Sequence, residues 1–264
     1  VRCSSVKPVL PYFEVPIVDD CNLNCKGCVF GCNSFVKNKY MPLEQLEKDL
    51  SRMRELFSDI LWIRILGGEP LLHPEICDIL DLFRRIYPDT EIDLCTNGLL
   101  LTRMTEEFYT KLKENMITVH VSGYPPVMRM KDRITERLKG YKIEHTFMKR
   151  DEFFKFYREI EVGDPADNHA KCPTRGCPEL YYGKLLKCSA LIAFERFNEQ
   201  FGTHFDISDG DSIPIHNDEI TGEAVIRFLN NPVKLCKYCD TVNIESFKWE
   251  SGSKKAVITD YTIG

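Results

Sequence analysis

The sequence predicts an α/β protein built on a parallel β-sheet. Short apolar runs rich in β-branched residues recur through the first 150 residues, each is followed by a stretch with apolar residues at helical spacing, and the connections are short. Such alternation marks βα units with parallel strands; by pattern alone a barrel, a partial barrel and an open doubly wound sheet all satisfy it.

Taken in order, YFEVPIV (12–18) reads as the first strand and runs into a Cys-rich loop from 19 to 34. A helix is expected from about Pro42, a residue suited to a first helical turn, with Leu43, Leu46, Leu50, Met53 and Phe57 on one face. ILWIRIL (60–66) is a buried strand ending in Gly67-Gly68, and 73–87 is a second helix, with Ile76, Ile79, Leu80, Phe83 and Ile86 aligned and Pro88 as its stop. EIDLCT (91–96) is a strand closed by the turn Asn97-Gly98. A helix over 105–115, a strand over 116–122, a helix over 128–139 with Gly140 after it, and a strand over 142–148 complete the series. After about residue 160 the composition turns to Pro, Gly, Asp and grouped cysteines, with one helix expected at 221–230 and a hairpin at LYYGKLLKC (180–188). The expected organisation is a main domain over 1–160 and a smaller, loop-rich one over 161–264.

At 264 residues, 43% hydrophobic and 28% charged, the chain has the composition of a folded protein with a substantial core. The net charge of −5 comes without any basic run, which argues against nucleic acid as a partner. No stretch approaches the ~20 apolar residues that span a bilayer, and the opening VRCSSVKPVLPYFEV lacks the apolar core of a secretory signal, so a cytoplasmic protein without membrane contact is expected. Twelve cysteines in a long α/β sequence point to metal or cluster ligation rather than disulfides.

Cys21, Cys25 and Cys28 place three thiols within eight residues directly after a strand. Three thiolates from one loop can hold three corners of a cubane cluster and leave the fourth iron open. A zinc knuckle, or an ordinary cluster completed by Cys32, uses the same spacing. Context separates them. Cys-x3-Cys-x2-Cys after the first strand, Gly67-Gly68-Glu69-Pro70 after the second and Thr96-Asn97-Gly98 after the third resemble the radical S-adenosylmethionine (SAM) superfamily over roughly residues 12–150. All three lie at C-terminal strand ends, where a parallel barrel assembles its active site.

The resemblance implies a partial (β/α)6 TIM-type barrel and a [4Fe-4S] cluster whose open iron is chelated by SAM. It implies that Gly67, Gly68, Glu69 and Pro70 bind the SAM amino group, and that Thr96, Asn97 and Ser122 reach its ribose or carboxylate. An aromatic residue usual before the third cysteine is replaced by Gly27, and Phe30 is the candidate substitute for packing on adenine. Cys172, Cys177, Cys188, Cys236 and Cys239 offer five further thiols. Gly183-x4-Cys188 after Cys172 resembles the twitch and SPASM domains of many such enzymes and implies a second, auxiliary iron-sulfur cluster; a zinc ribbon is the alternative.

The activity so implied is reductive cleavage of SAM to a 5′-deoxyadenosyl radical and hydrogen abstraction from a small polar substrate: a sugar, aminocyclitol or nucleotide-linked metabolite. The auxiliary cluster would take the second electron of a net oxidation, and a flavodoxin or ferredoxin would supply the first. Peptide maturation and radical epimerisation are the competing chemistries, the latter needing a thiol such as Cys95 or Cys32. A non-catalytic zinc- or cluster-binding module is the alternative of another class. Lys149, Arg150 and Arg158 follow the fifth strand and are candidates to hold substrate, with Arg150 preferred. His169 is expected to be exposed, the segment Asp206–Asp211 to be a solvated loop, and Cys3, Cys32, Cys77 and Cys95 to be incidental thiols.

Overall fold

The computed structural model describes residues 7–32, 39–253 and 255–264; Cys3 lies outside them. Its first half alternates strands and helices: β1 (Val9–Pro16), α1 (Leu43–Leu56), β2 (Asp59–Leu66), α2 (Ile76–Ile86), β3 (Glu91–Thr96), α3 (Glu106–Glu114), β4 (Thr118–Gly123), the single turn α4 (Pro125–Met128), α5 (Lys131–Gly140) and β5 (His145–Lys149). Hydrogen bonding orders these strands β5-β4-β3-β2-β1, all mutually parallel.

One face of each strand is apolar. Phe13 and Val15, Ile63 and Ile65, Ile92 and Leu94, and Val119 and Val121 are all fully buried against the helical layer, in one core with Leu46, Leu50 and Met53 of α1 and Ile79, Leu80 and Phe83 of α2. The alternate residues face away from the helices, and this inner face carries the polar side chains. The result is a partial TIM-type barrel, in which the C-terminal strand ends collect functional side chains.

The second half contributes β6 (Glu152–Lys155), α6 (Pro165–Ala170), β7 (Glu179–Tyr181), β8 (Lys184–Leu186), α7 (Ala190–Phe201), β9 (Ser212–Pro214), α8 (Gly222–Asn230) and β10 (Glu245–Lys248). The sixth parallel strand is β7, which joins the free edge of β1, and β8 and β9 follow antiparallel. The hairpin expected at 180–188 is thus β7–β8, turning at Tyr182-Gly183. A second apolar cluster gathers Tyr157, Phe194, Phe197, Phe205, Tyr238 and Tyr261. Strands β6 and β10 form a separate two-stranded sheet.

Three expectations are corrected. The helix expected at 128–139 is α5 with a separate turn before it, and Gly140 belongs to its last turn. The strand expected at 116 starts at Thr118, because Met116 has φ 50° and cannot continue a strand. Helix α7 was not expected at all: Ala190, Leu191, Ile192, Ala193, Phe194 and Phe197 are buried around most of its girth, and even Arg196 is buried, so its apolar surface is wider than a single stripe. Among the described residues no helix is long and apolar enough to cross a membrane.

Candidate active site at the strand ends

The three sequence motifs meet at one place. The Gly67 N-Cα bond is turned to φ +150°, and a Cβ there would lie 2.4 Å from the Val18 carbonyl oxygen. A Cβ on Gly68 would lie 2.2 Å from the Asp20 oxygen. Room made by the two missing side chains lets the root of the cysteine loop lie directly on the end of β2, where Gly68 N–H donates to Val18 O (2.7 Å) and Glu69 N–H to Asp20 O (2.9 Å). Pro70 opens a 3₁₀ turn, Pro70–Leu72, that Glu69 caps.

Glu69 is fully buried and ties β2 to β3. Its Oε1 accepts from Leu71 N–H (3.0 Å) and the Thr96 hydroxyl (2.6 Å), and its Oε2 accepts from Asn97 N–H (2.8 Å). Burial pushes its carboxyl up to about 7 despite these donors. Asn97 Nδ2 in turn donates to Asn22 Oδ1 (2.7 Å), closing a ring of contacts from the cysteine loop through β2 and β3 and back. Ser122, at the end of β4, stands 3.8 Å from Cys95 Sγ.

Each of the three loop thiols has a hydrogen-bonding neighbour. Leu23 N–H approaches Cys21 Sγ at 3.4 Å, and the indole Nε1–H of Trp249 approaches Cys25 Sγ at 3.2 Å. The Cys32 thiol donates to Cys28, drawing Cys28 down to about 6 and pushing Cys32 well up. Burial pushes Cys25 up to about 12 and, with the Glu69 charge second, raises Cys21. Arg196 of α7 reaches Cys32 Sγ (3.2 Å) and pairs with Asp19 (2.7 Å), so Cys32 is a neighbour of the loop rather than an incidental thiol.

The C-terminal segment covers this loop. Lys26 pairs with Glu250 (2.6 Å), Gly27 N–H donates to Asp260 O (2.8 Å), and Asn24 Nδ2 donates to Gly252 O (3.1 Å). A Cβ on Gly27 would lie 2.8 Å from the Phe247 ring. The aromatic group beside position 27 is therefore Phe247 of β10; the Phe30 carbonyl instead receives Arg196.

Of the second group, Cys172, Cys188, Cys236 and Cys239 line one partly open cavity, with Phe156, Leu191, Val233 and Leu235 as its apolar wall. Burial raises Cys188, Cys236 and Cys239. Cys177 does not line the cavity; it is pushed up to about 12 by burial and by Glu14 and Glu179 on the inner face of the sheet. His169, expected exposed, is buried on the cavity wall, with Nε2 lacking a hydrogen-bond partner.

Among the described residues, no three His, Cys, Asp or Glu side chains converge as a single metal ion requires. Three half-buried to buried thiols with hydrogen-bonding neighbours at their sulfurs, and a thiol-lined cavity with apolar walls, have the donor chemistry that iron-sulfur clusters use.

The basic residues after β5 are engaged as follows. Arg158 pairs with Asp240 (2.7 Å), Lys149 is exposed and pairs with Asp151, and Arg150 is exposed with its N–H on Gly123 O (3.1 Å). The acidic segment is only partly solvated: Asp211 is buried, bonding Ser208 and Leu235 N–H (2.9 Å).

Sequence reasoning missed the inner face of the sheet. Tyr12 and Glu14 of β1, Trp62 and Arg64 of β2, Asp93 of β3, His120 of β4 and Glu179 of β7 form one polar array. Arg64 pairs with Asp93 (3.4 Å) and approaches Glu14 (3.9 Å), and Asp93 Oδ2 also accepts from Trp62 Nε1 (2.6 Å) and meets His120 Nε2 (3.1 Å). The signal was present: polar residues at every second place of strands otherwise apolar.

A family model described as the Radical SAM superfamily matches residues 15–159. The GTP 3′,8-cyclase of Nostoc punctiforme (strain ATCC 29133 / PCC 73102) is 30% identical over 103 residues, covering 37% of this chain and 30% of the relative. That of Clostridium perfringens (strain SM101 / Type A) is 32% identical over 100 residues, with the same coverage of 37% and 30%. The match thus spans under a third of the length of these relatives. The solved structure of BtrN in complex with AdoMet and 2-DOIA shares the fold with a TM-score of 0.50 at 19% identity, covering 88% of this chain and 94% of BtrN. Native anSMEcpe with bound AdoMet has a TM-score of 0.43 at 22% identity, covering 55% and 45%.

Proposed function

The chain belongs to the radical SAM superfamily, and from that premise we propose that it cleaves S-adenosylmethionine reductively and abstracts hydrogen from a small polar substrate with net two-electron oxidation. The observation that carries the reading is the ring of contacts joining Cys21–Cys28, Gly67–Pro70 and Thr96–Asn97 at three adjacent strand ends.

Cys21, Cys25 and Cys28 would hold the [4Fe-4S] cluster, and Gly67, Gly68, Glu69, Pro70, Thr96, Asn97 and Ser122 would line the SAM site. Bound there, cluster and SAM supply one-electron cleavage of the sulfonium, yielding methionine and a 5′-deoxyadenosyl radical. The chain's own part is to orient and to exclude water. Glu69 Oε2 has one donor in the structure and so can accept a second, from an amino group. Phe247 and Trp249 close the loop against solvent, and the polar inner face lies along the same strands, next in line from their C-terminal ends.

Residues 1–160 form the catalytic unit in this reading and 161–264 the auxiliary one, with a second cluster on Cys172, Cys188, Cys236 and Cys239. The four thiols around one apolar-walled cavity support it. A one-electron donor such as flavodoxin or ferredoxin is required. Free thiols at all eleven described cysteines support a reducing, cytoplasmic setting.

Radical epimerisation is a second reading, favoured by Cys95, which burial keeps as a neutral thiol beside Ser122. A neutral thiol is the form that returns a hydrogen atom. The test is deuterium transfer from labelled sugars and aminocyclitols into 5′-deoxyadenosine. Transfer with an oxidised product supports the first reading, solvent deuterium in a product of unchanged oxidation level supports the second, and transfer from a peptide alone overturns both.

A further inference from the structure

We propose that Glu14 and Glu179, side by side on the inner face of the sheet, bind the ammonium group of a hydroxylated small-molecule amine; this rests on the reading above and narrows its substrate class. The two residues stand directly opposite each other on the parallel strands β1 and β7, so their side chains emerge on the same face. Both are buried, at 7% and 1% exposed.

Two neighbouring carboxyls out of water repel each other, and burial with that repulsion raises Glu179 well above the usual carboxylate range. A cation between them removes the conflict. Among the described residues Glu14 accepts from the Tyr12 hydroxyl and has Arg64 nearby, while Glu179 has no ion pair. Arg64 is committed to Asp93 (3.4 Å) and lies over the Trp62 ring at 4.6 Å, reaching Glu14 only at 3.9 Å. Arg196, the other nearby cation, is held by Asp19 (2.7 Å), the Phe30 carbonyl (2.5 Å) and Cys32.

Meanwhile Glu179 Oε2 and Asp93 Oδ1 are buried without any hydrogen-bond partner, and Arg64 Nε likewise. Buried acceptors left dry in this way are uncommon in folded proteins and call for a partner. An ammonium has three donors and no acceptor, which matches a set of carboxylate oxygens. A metal ion fits less well, since among the described residues no three ligating side chains converge. The remaining unpartnered group, Arg64 Nε, suits a hydroxyl on the same molecule.

The test is equilibrium binding to the reconstituted chain of matched pairs: glucosamine against glucose and glucuronate, and an aminocyclitol against its parent cyclitol. The amine of at least one pair should bind about tenfold or more tighter than its neutral partner. The preference should fall to within about twofold in Glu179→Gln and be partly kept in Glu179→Asp, which retains the charge if the longer change disturbs folding. Equal binding of neutral sugars, no binding of any amine, a preference surviving Glu179→Gln, or displacement of the amine by magnesium or manganese would overturn the site. If wild-type protein releases 5′-deoxyadenosine from SAM but shows no amine preference, only the site fails. If it releases none, the functional reading fails whatever the binding shows.

Discussion

Adding one methyl group at Gly68 should cost more than most core truncations, although Gly68 sits in no left-handed turn. The built Cβ lies 2.2 Å from the Asp20 oxygen, 2.7 Å from its carbonyl carbon and 3.0 Å from the Asp19 oxygen. All three are backbone atoms, so no side-chain rotation relieves the overlap. The loop must part from β2 and forfeit Gly68 N–H to Val18 O (2.7 Å) and Glu69 N–H to Asp20 O (2.9 Å). Two lost hydrogen bonds at about 1 kcal/mol each, rising to about 3 kcal/mol each where the donor is left dry, put Gly68→Ala at about 2–6 kcal/mol. Gly140→Ala is the matched control. Its Cβ would meet nothing within 4 Å, and it ends α5, where Ala is favoured by up to about 1 kcal/mol. Urea denaturation of the metal-free chain reads both, with iron retained after anaerobic reconstitution as a second measure. A Gly68→Ala loss below about 0.5 kcal/mol would refute the argument that the loop needs this close approach.

Three further outcomes follow from particular contacts. Trp249→Phe removes the donor 3.2 Å from Cys25 Sγ, and because a hydrogen bond to a ligand thiolate stabilises the more negative, reduced cluster, the cluster midpoint should move some tens of millivolts negative, at about 59 mV per 1.4 kcal/mol for one electron; an unchanged redox titration would deny Trp249 that role. Cys172→Ser should lower reconstituted iron from about eight to about four per chain while Cys177→Ser leaves it near eight, and the reverse result would exchange their roles. His73, buried with Nε2 on Met41 O (3.0 Å) and Nδ1 accepting from Glu75 N–H (3.1 Å), has its proton affinity lowered by burial. Its contribution to stability is present above the unfolded value of about 6.5 and lost as pH falls below it, so His73→Gln should flatten the stability profile below about pH 6.5; an unaltered slope would contradict the assignment.

The strands and the site motifs were readable because they are local. ILWIRIL and EIDLCT announce buried strands by β-branched density, and the cysteine, GGEP and TNG segments each sit within a few residues of a strand end. What escaped depends on partners far along the chain. Trp249 reaches Cys25 and Phe247 fills the space beside Gly27 across more than 200 residues, through the pairing of β10 with β6. Helix α7 was silent because it opens on a continuous apolar run over 190–194, which reads as readily as a strand as a helix. His169 and Asp211 read as solvated because their burial is imposed by the fold around the second cysteine group. Cys172 and Cys177 are separated only by the direction in which the chain turns into β7.

The measurement closest to the central claim compares wild type, Cys25→Ser and Cys32→Ser, each reconstituted anaerobically and given dithionite and SAM. Three thiolates leaving one iron free for SAM predict 5′-deoxyadenosine from wild type and from Cys32→Ser, and none from Cys25→Ser. Loss of both cluster and product in Cys32→Ser would make Cys32 the fourth ligand and contradict the account.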